Sequence, residues 1–220
     1  MVKTATKPAA NTNDVSLTHY IENKNLFITP KGRGQFVALS KKFKSKDAAA
    51  DDTGAYCLSL LFPPDVDLTL LRAEAERAGK EKFGVAFSYT DPKKCKGKKT
   101  PFLDPVEKGT ELLDEAGEEV DLAGWTLIRF NTYAAQPTVR DGTKPGNPKI
   151  DPDEIGVECY SGRWYRLMTR AKAYDIGGGV GVKFYLEGVQ ALMHDAKTSS
   201  FSVGDDGEDF GAPDLDGDGI

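Results

Sequence analysis

The sequence predicts a mainly β fold: a small closed or partly closed barrel with one principal helix. Short runs of β-forming residues recur between turn signals, and only one stretch carries apolar residues at helical spacing. Three long segments late in the chain alternate between two kinds of side chain. Irregular spacing of the runs, with no internal repeat, favours a barrel over stacked repeats. At 220 residues and 39% apolar composition the chain can furnish the core of one domain rather than several.

Residues 1–13 (MVKTATKPAANTN) are small and polar without a period and read as a flexible N-terminal arm. The body spans 14–198. Its first expected element is a hairpin of Asn25–Thr29 and Arg33–Leu39 around Pro30-Lys31-Gly32. Ala55–Phe62 (AYCLSLLF) is an apolar strand stopped by Pro63-Pro64. From Asp67 to Phe83, Leu68, Leu71, Ala75 and Ala78 fall near helical spacing, acids precede bases, and Gly84 terminates, so a helix is expected. Val85–Tyr89 reads as a short strand. Residues 90–123 show little apolar pattern and are expected as a long charged insertion, functional or mobile. Three β segments close the body: Trp125–Ala135, Trp164–Ile176 and Val180–Met193, the last two joined by a turn at Gly177-Gly178-Gly179. From Ser199 the chain becomes Gly- and Asp-rich with isolated apolar residues, which predicts a disordered acidic tail over 199–220.

The formal net charge of −5 conceals a segregated distribution. Residues 205–220 hold seven acids and no base, leaving 29 bases against 27 acids, a net +2, in the rest. Residues 1–46 carry nine Lys/Arg against Asp14 and Glu22. Residues 93–99 (KKCKGKK) place five lysines in seven positions, and 104–121 swing back with eight acids against Lys108 alone. The chain thus reads as a charge-segregated body with an acidic appendage. No stretch approaches the ~18 apolar residues of a membrane span, and the arm lacks the apolar segment of a secretory signal. Three scattered cysteines, Cys57, Cys95 and Cys159, give neither a disulfide framework nor a zinc motif and suggest a reducing cytoplasm.

Catalytic and metal motifs are weak. His19 and His194 stand far apart, and no GxSxG nucleophile motif is present. Asp91-Pro92-Lys93 imitates half of a nuclease D-x-K signature but simply opens the lysine run. The glycines at 177–181 precede a strand rather than a helix, which makes a poor phosphate loop. Residues 214–219 match the start of an EF-hand loop, but the chelating Glu of its final position is missing. No enzyme activity, metal or cofactor is expected.

The closing segments carry the functional signal. Side chains of a strand alternate between its two faces. One face of Trp125–Ala135 reads Thr126, Ile128, Phe130, Thr132, Ala134; the other reads Trp125, Leu127, Arg129, Asn131, Tyr133. In Trp164–Ile176 the quiet face is Tyr165, Leu167, Thr169, Ala171, Ala173, opposite Trp164, Arg166, Met168, Arg170, Lys172, Tyr174. In Val180–Leu192 the apolar Val180, Val182, Phe184 and Leu186 stand opposite Lys183, Tyr185 and Glu187. Each strand offers one core face and one mixing aromatics with cations. That mixture suits single-stranded nucleic acid: aromatics stack on bases at about 1–3 kcal/mol each while Lys and Arg track phosphates. Trp125, Tyr133, Trp164, Tyr174 and Tyr185 are the candidate stacking groups. Arg129, Arg166, Arg170, Lys172 and Lys183 are the candidate phosphate contacts, aided by Lys93, Lys94, Lys96, Lys98 and Lys99 of the loop.

Further motifs carry a resemblance. Phe62-Pro63-Pro64 runs into the helix, and Asn131 precedes Gln136-Pro137-Thr138-Val139. Asp141, Tyr160-Ser161-Gly162, Ala173-Tyr174-Asp175 and Leu186-Glu187-Gly188-Val189-Gln190 follow. In order and spacing, over about residues 20–195, they resemble a family of phage single-stranded DNA-binding proteins, with a more distant likeness to the T7-type phage single-strand binder. The resemblance implies an OB-fold and sequence-independent binding of single-stranded DNA in phage replication, recombination and repair, in the cytoplasm of the infected host. The lysine run and the acidic stretch at 104–121 fall outside the family pattern. The T7-type binder also has an acidic tail with a terminal apolar residue. By that likeness Asp205, Asp206, Glu208, Asp209, Asp214, Asp216, Asp218 and Ile220 are expected to recruit replication or recombination proteins or to compete for the protein's own cationic groove. No membrane partner is expected, and the sequence leaves room for a homodimer. The rival readings are a phage structural or assembly protein on a β-barrel scaffold and a metal-dependent nuclease.

Overall fold

Period-two alternation and a single helical stretch produce nine strands and two helices among the described residues of the computed structural model. Those residues are 19–21, 25–44, 53–89, 91, 93–95, 97–112, 118–176 and 179–193. The N-terminal arm, Lys96, Gly177-Gly178, His194 and the acidic tail lie outside them. In chain order the elements are β1 (His19–Ile21), β2 (Leu26–Ile28), β3 (Gly32–Phe43), β4 (Ala55–Phe62), α1 (Thr69–Phe83), β5 (Phe102–Leu103) and β6 (Thr126–Thr132). They continue with β7 (Thr138–Asp141), α2 (Ile155–Glu158), β8 (Trp164–Ile176) and β9 (Gly179–Ala191). Strands β1, β5 and β7 and helix α2 are too short to show a period and had no sequence signal.

Five strands close a ring: β3 pairs β4, β4 pairs β6, β6 pairs β9, β9 pairs β8, and β8 returns to β3. Only the β6–β9 pairing in this ring is parallel. This is the five-stranded Greek-key barrel of an OB-like fold. Closure runs through backbone contacts at Gly34, whose N–H donates to the Arg163 carbonyl while its own carbonyl accepts from Gly162. A Cβ at position 34 would stand 2.3 Å from the Tyr165 ring, so this crossing requires glycine.

The expected hairpin at 25–39 is not formed. Phe27 and Ile28 pair with Thr169 and Met168, whereas Gly32 and Arg33 pair with Tyr165 and Trp164. Because β9 occupies the other edge of β8 along nearly its whole length, β2 and β3 lie end to end on one edge. Pro30, which has no N–H to donate, sits at the one-residue slip between them. From Arg33 on, β3 also pairs with β4, and it changes register against β4 between Gln35 and Ala38, with Phe36 at φ 49°, beyond the end of its pairing with β8.

The barrel interior is apolar. Phe184, fully buried, meets Phe27, Phe130 and Phe102 at 5.9, 5.6 and 5.9 Å between ring centroids. Helix α1 adds Leu71, Ala75 and Ala78, one face at helical spacing. Asp67 Oδ1 accepts from the Thr69 N–H at 2.8 Å at its start, and Gly84 ends it at φ 97°. Val85–Tyr89, expected as a strand, instead turns back over α1: the Phe87 N–H donates to the Gly84 carbonyl, and Val85 is 90% exposed. Phe87 fits against Gly79, where a Cβ would stand 2.0 Å from its ring, and Phe83 and Tyr89 extend the aromatic contacts. Packing against the helix outweighs a strand with no neighbour to pair. The insertion at 90–123 also packs more than expected. Its Leu112 and Leu122 join Leu61 and Leu127 in a second apolar cluster.

Behind β8, Arg163 is fully buried and organises one end of the barrel. Its guanidinium donates to the Leu192 carbonyl after β9 and to the carbonyl and carboxylate of Glu158 in α2, with Asp141 of β7 at 3.9 Å. Asp141, 5% exposed, also accepts from the Thr143 hydroxyl and pairs with Lys144 at 3.0 Å.

Two expectations follow. Gly34→Ala is expected to cost about 1–3 kcal/mol by forcing Tyr165 away from the closure, read as a lowered urea midpoint with an unchanged m-value. The Thr143 hydroxyl, opposed by burial and assisted by Lys144, holds the Asp141 carboxyl down at about 2 against its ordinary 3.8. The native state therefore binds this proton less tightly than the unfolded chain does. Its stabilisation is complete above pH 3.8 and disappears as the pH falls through about 2. Asp141→Asn should flatten the stability profile in that window, as measured by urea melts at stepped pH.

Candidate functional site

The site begins where β6 and β9 part. Their pairing is confined to Phe130↔Phe184 and Asn131↔Tyr185. Below it the segment 99–103 enters as a wedge: Lys99 bridges to Gly181 of β9, and Phe102 and Leu103 pair with Ile128 and Leu127 of β6 as β5. The Lys99 N–H donates to the Val180 carbonyl at 2.7 Å, and the Val182 N–H donates to the Lys99 carbonyl at 3.2 Å. A Cβ on Gly181 would stand 2.4 Å from that carbonyl oxygen, so glycine is what lets the wedge approach. The end of the lysine run is thereby sewn onto the barrel.

Above the wedge an open cleft is lined by Lys99, Thr100, Pro101, Leu103, Arg129, Asn131, Tyr133, Tyr174, Gly179, Val182 and Lys183. None of these is an acid. The Lys183 ammonium lies 4.9, 5.4 and 4.8 Å from the ring centres of Tyr133, Tyr174 and Tyr185. Lys172, its direct partner across β8–β9, lies 5.3 Å from Tyr185. Like charges placed opposite on neighbouring strands repel. The tyrosine faces offset that repulsion through their π-electrons. Tyr133, 51% exposed, presents its ring at the mouth. The result is a positively charged surface whose aromatic rings are held by cations rather than packed away.

Alternation along β6, β8 and β9 follows the expected core faces at Ile128, Phe130, Tyr165, Leu167, Thr169, Ala171, Val182, Phe184 and Leu186, which are buried. It fails at Leu127, which was expected on the opposite face but is buried in the second apolar cluster, and at Ala134, which is exposed beyond the end of β6. The candidate residues divide into groups. Arg129, Tyr133, Tyr174, Lys183 and Lys99 line the cleft, with Tyr185 and Lys172 beside it. Arg170 lies farther along the same face, ion-paired with Glu187, the extra residue of a bulge in β9. Trp164 and Arg166 stand toward the opposite end of β8, ten and eight residues from Tyr174, or about 33 and 26 Å along the strand. Trp125 is half-buried and packs on the second apolar cluster. In the lysine loop, Lys94 pairs with Asp91 at 3.4 Å, Lys98 lies 5.4 Å from the Phe83 ring, and Lys93 stands in the turn between.

Several neighbours had no place in the sequence reading. Lys31 and Arg33 flank Trp164, 4.2 and 5.5 Å from its ring, a placement that follows from the end-to-end β2–β3 pairing. Lys42 donates to the Tyr133 carbonyl at 2.8 Å and lies 5.8 Å from Tyr56. Arg140 and Lys149 share a second surface hollow with Arg166. The one available signal was the cationic excess over 1–46, which contains Lys31, Arg33 and Lys42.

Among the described residues no group of three His, Cys, Asp or Glu converges to hold a metal, and no helix is long and apolar enough to cross a membrane. Burial pushes the thiols of Cys57 and Cys159 up to about 12, which keeps both neutral and poorly nucleophilic.

No family model matches the chain, and no curated protein matches it either. Solved structures do. The chain is similar to the single-stranded DNA-binding protein of bacteriophage Enc34 in complex with ssDNA, at TM-score 0.59 and 18% identity, covering 80% of this chain and 90% of that one. It is also similar to gp2.5, a single-stranded DNA-binding protein encoded by bacteriophage T7, at TM-score 0.51 and 17% identity, covering 80% and 96%. At such identities the likeness is one of fold, and it matches the OB-like barrel that the residues at 20–195 implied.

Gly181→Ala is expected to lift the wedge off β9. Hydrogen exchange should show the Val182 amide losing at least about tenfold in protection while core amides of β8 keep theirs.

Proposed function

We propose that this chain is a phage single-stranded DNA-binding protein that reads strands without sequence preference and performs no chemistry on them. The observation that carries the proposal is the cleft, lined among the described residues by cations and rings but no acid, with Lys183 poised over three tyrosine rings. The OB-like barrel supports it, since single-strand binders commonly use this fold and a face that includes its third strand, here β6, which brings Arg129 and Asn131 to the cleft. The similar solved structures are single-stranded DNA-binding proteins, one with the strand bound.

In this reading bases stack on Tyr133, Tyr174 and Tyr185, and Lys183 moves from the rings to a phosphate as they arrive. Arg129, Lys172 and Lys99 hold neighbouring phosphates. Trp164 and Arg166, with Lys31 and Arg33, receive the strand at the far end of β8, and Arg170 joins when Glu187 releases it. The lysine loop raises the local concentration of strand through its field. The acidic segment 205–220 recruits replication or recombination proteins in the host cytoplasm or competes for the cleft when no strand is present.

A fluorescence-anisotropy titration with oligo-dT at two salt concentrations, magnesium present, tests this. Binding should weaken steeply with salt and leave the oligonucleotide intact. Lys183→Ala should lower the slope of log K against log[salt] by about 0.7, one single-strand phosphate contact, and Tyr133→Ala should cost about 1–3 kcal/mol. Deleting 205–220 should tighten binding where the segment competes for the cleft; unchanged affinity would leave only the partner role. Absence of binding at low salt would leave the phage structural role standing; cleavage with magnesium would leave the nuclease.

A further inference from the structure

On the floor of the cleft, Asn131 stands out. It pairs with Tyr185 on one side and Cys57 on the other, at the last point where β6 and β9 remain joined. Its Oδ1 is buried and accepts no hydrogen bond. A buried amide oxygen left without a donor is costly, and native structures rarely leave one so unless something else supplies the donor. The cleft it lines also holds the cations Lys99, Arg129 and Lys183, the Thr100 hydroxyl and the rings of Tyr133 and Tyr174, yet none of their donors reaches this oxygen. A flat aromatic ligand slotted between such rings with an N–H on its edge would complete the site.

We infer that Asn131 accepts a hydrogen bond from the Watson–Crick edge of an unpaired nucleobase, and so enables the cleft to distinguish single strands from duplex. Every natural base carries at least one N–H donor on that edge, so the contact excludes no sequence. In a duplex the same donors are taken by the opposite strand. One acceptor therefore reads pairing state while ignoring base identity, and adds to the preference for unstacked bases that the tyrosine rings already impose. The inference rests on the binding function proposed above and refines it.

The test uses oligo-dT and the same strand built from N3-methylthymidine, which keeps the ring, the stacking and the phosphates but lacks the donor. The full chain should bind the methylated strand about tenfold more weakly, the scale of one buried hydrogen bond withheld. Asn131→Leu, and Asn131→Ala as a second variant, should bind the two strands with equal affinity, the signature of coupling between residue and donor. Equal affinity of the unaltered chain for both strands overturns the inference while leaving the binding function intact, and so does a preference that survives in both variants. Failure to bind either strand at low salt overturns the two together.

Discussion

Everything in this molecule hangs on β8 being paired along both edges at once. One edge carries β9 for nearly its full length; the other carries β2 and β3 in line. This double occupancy closes the ring and leaves no long exposed edge on that strand to seek other partners. It also sets the two faces apart. Tyr165, Leu167, Thr169 and Ala171 are committed to the interior, so Arg166, Arg170, Lys172 and Tyr174 project outward. A slip of one residue would exchange these sets. Arg163 guards against it by binding the ends of β7, α2 and β9 to one buried guanidinium.

The outward face is an electrostatic compromise. Lys172 and Lys183 stand directly opposite each other, an arrangement an isolated hairpin would resist. Tyrosine rings share the two charges and keep them available to an incoming anion. The bulge at Glu187 interrupts the run of cations with a single acid, which engages Arg170 and divides the face into a tyrosine-rich end and a tryptophan-bearing end. The division follows from backbone geometry: alternation already turns Glu187 outward, and the extra residue resets the phase after it, so that Val189 and Ala191, rather than Gly188 and Gln190, return to the core.

How much of this was legible in the sequence depended on the range of the interactions. Ala55–Phe62 and Trp164–Ile176 emerged with their expected bounds because apolar alternation and flanking turn residues are local signals. The same alternation separated core from cationic faces on β6, β8 and β9. Strand pairing was hidden. Pro30-Lys31-Gly32 looks like a turn, and only the presence of β8 alongside makes it a slip in a continuous line. Val85–Tyr89 has strand-like residues but finds a helix instead of a partner strand. Trp125 shares a face with Arg129 by count, yet Leu112 and Leu122, brought from the insertion, cover it. The wedge at 99–103 was unreadable for the same reason, since its meaning lies in the gap between two strands far from it in the chain.

That wedge links two positions in descent. The carbonyl of Lys99 occupies the space a side chain at 181 would need, so the glycine and the lysine-rich insertion form one heritable unit. A lineage that loses the insertion frees position 181 to take any β-forming residue, and a lineage that replaces the glycine forfeits the seating of the insertion. The two should therefore appear and vanish together as relatives diverge, although they stand 82 positions apart in the chain.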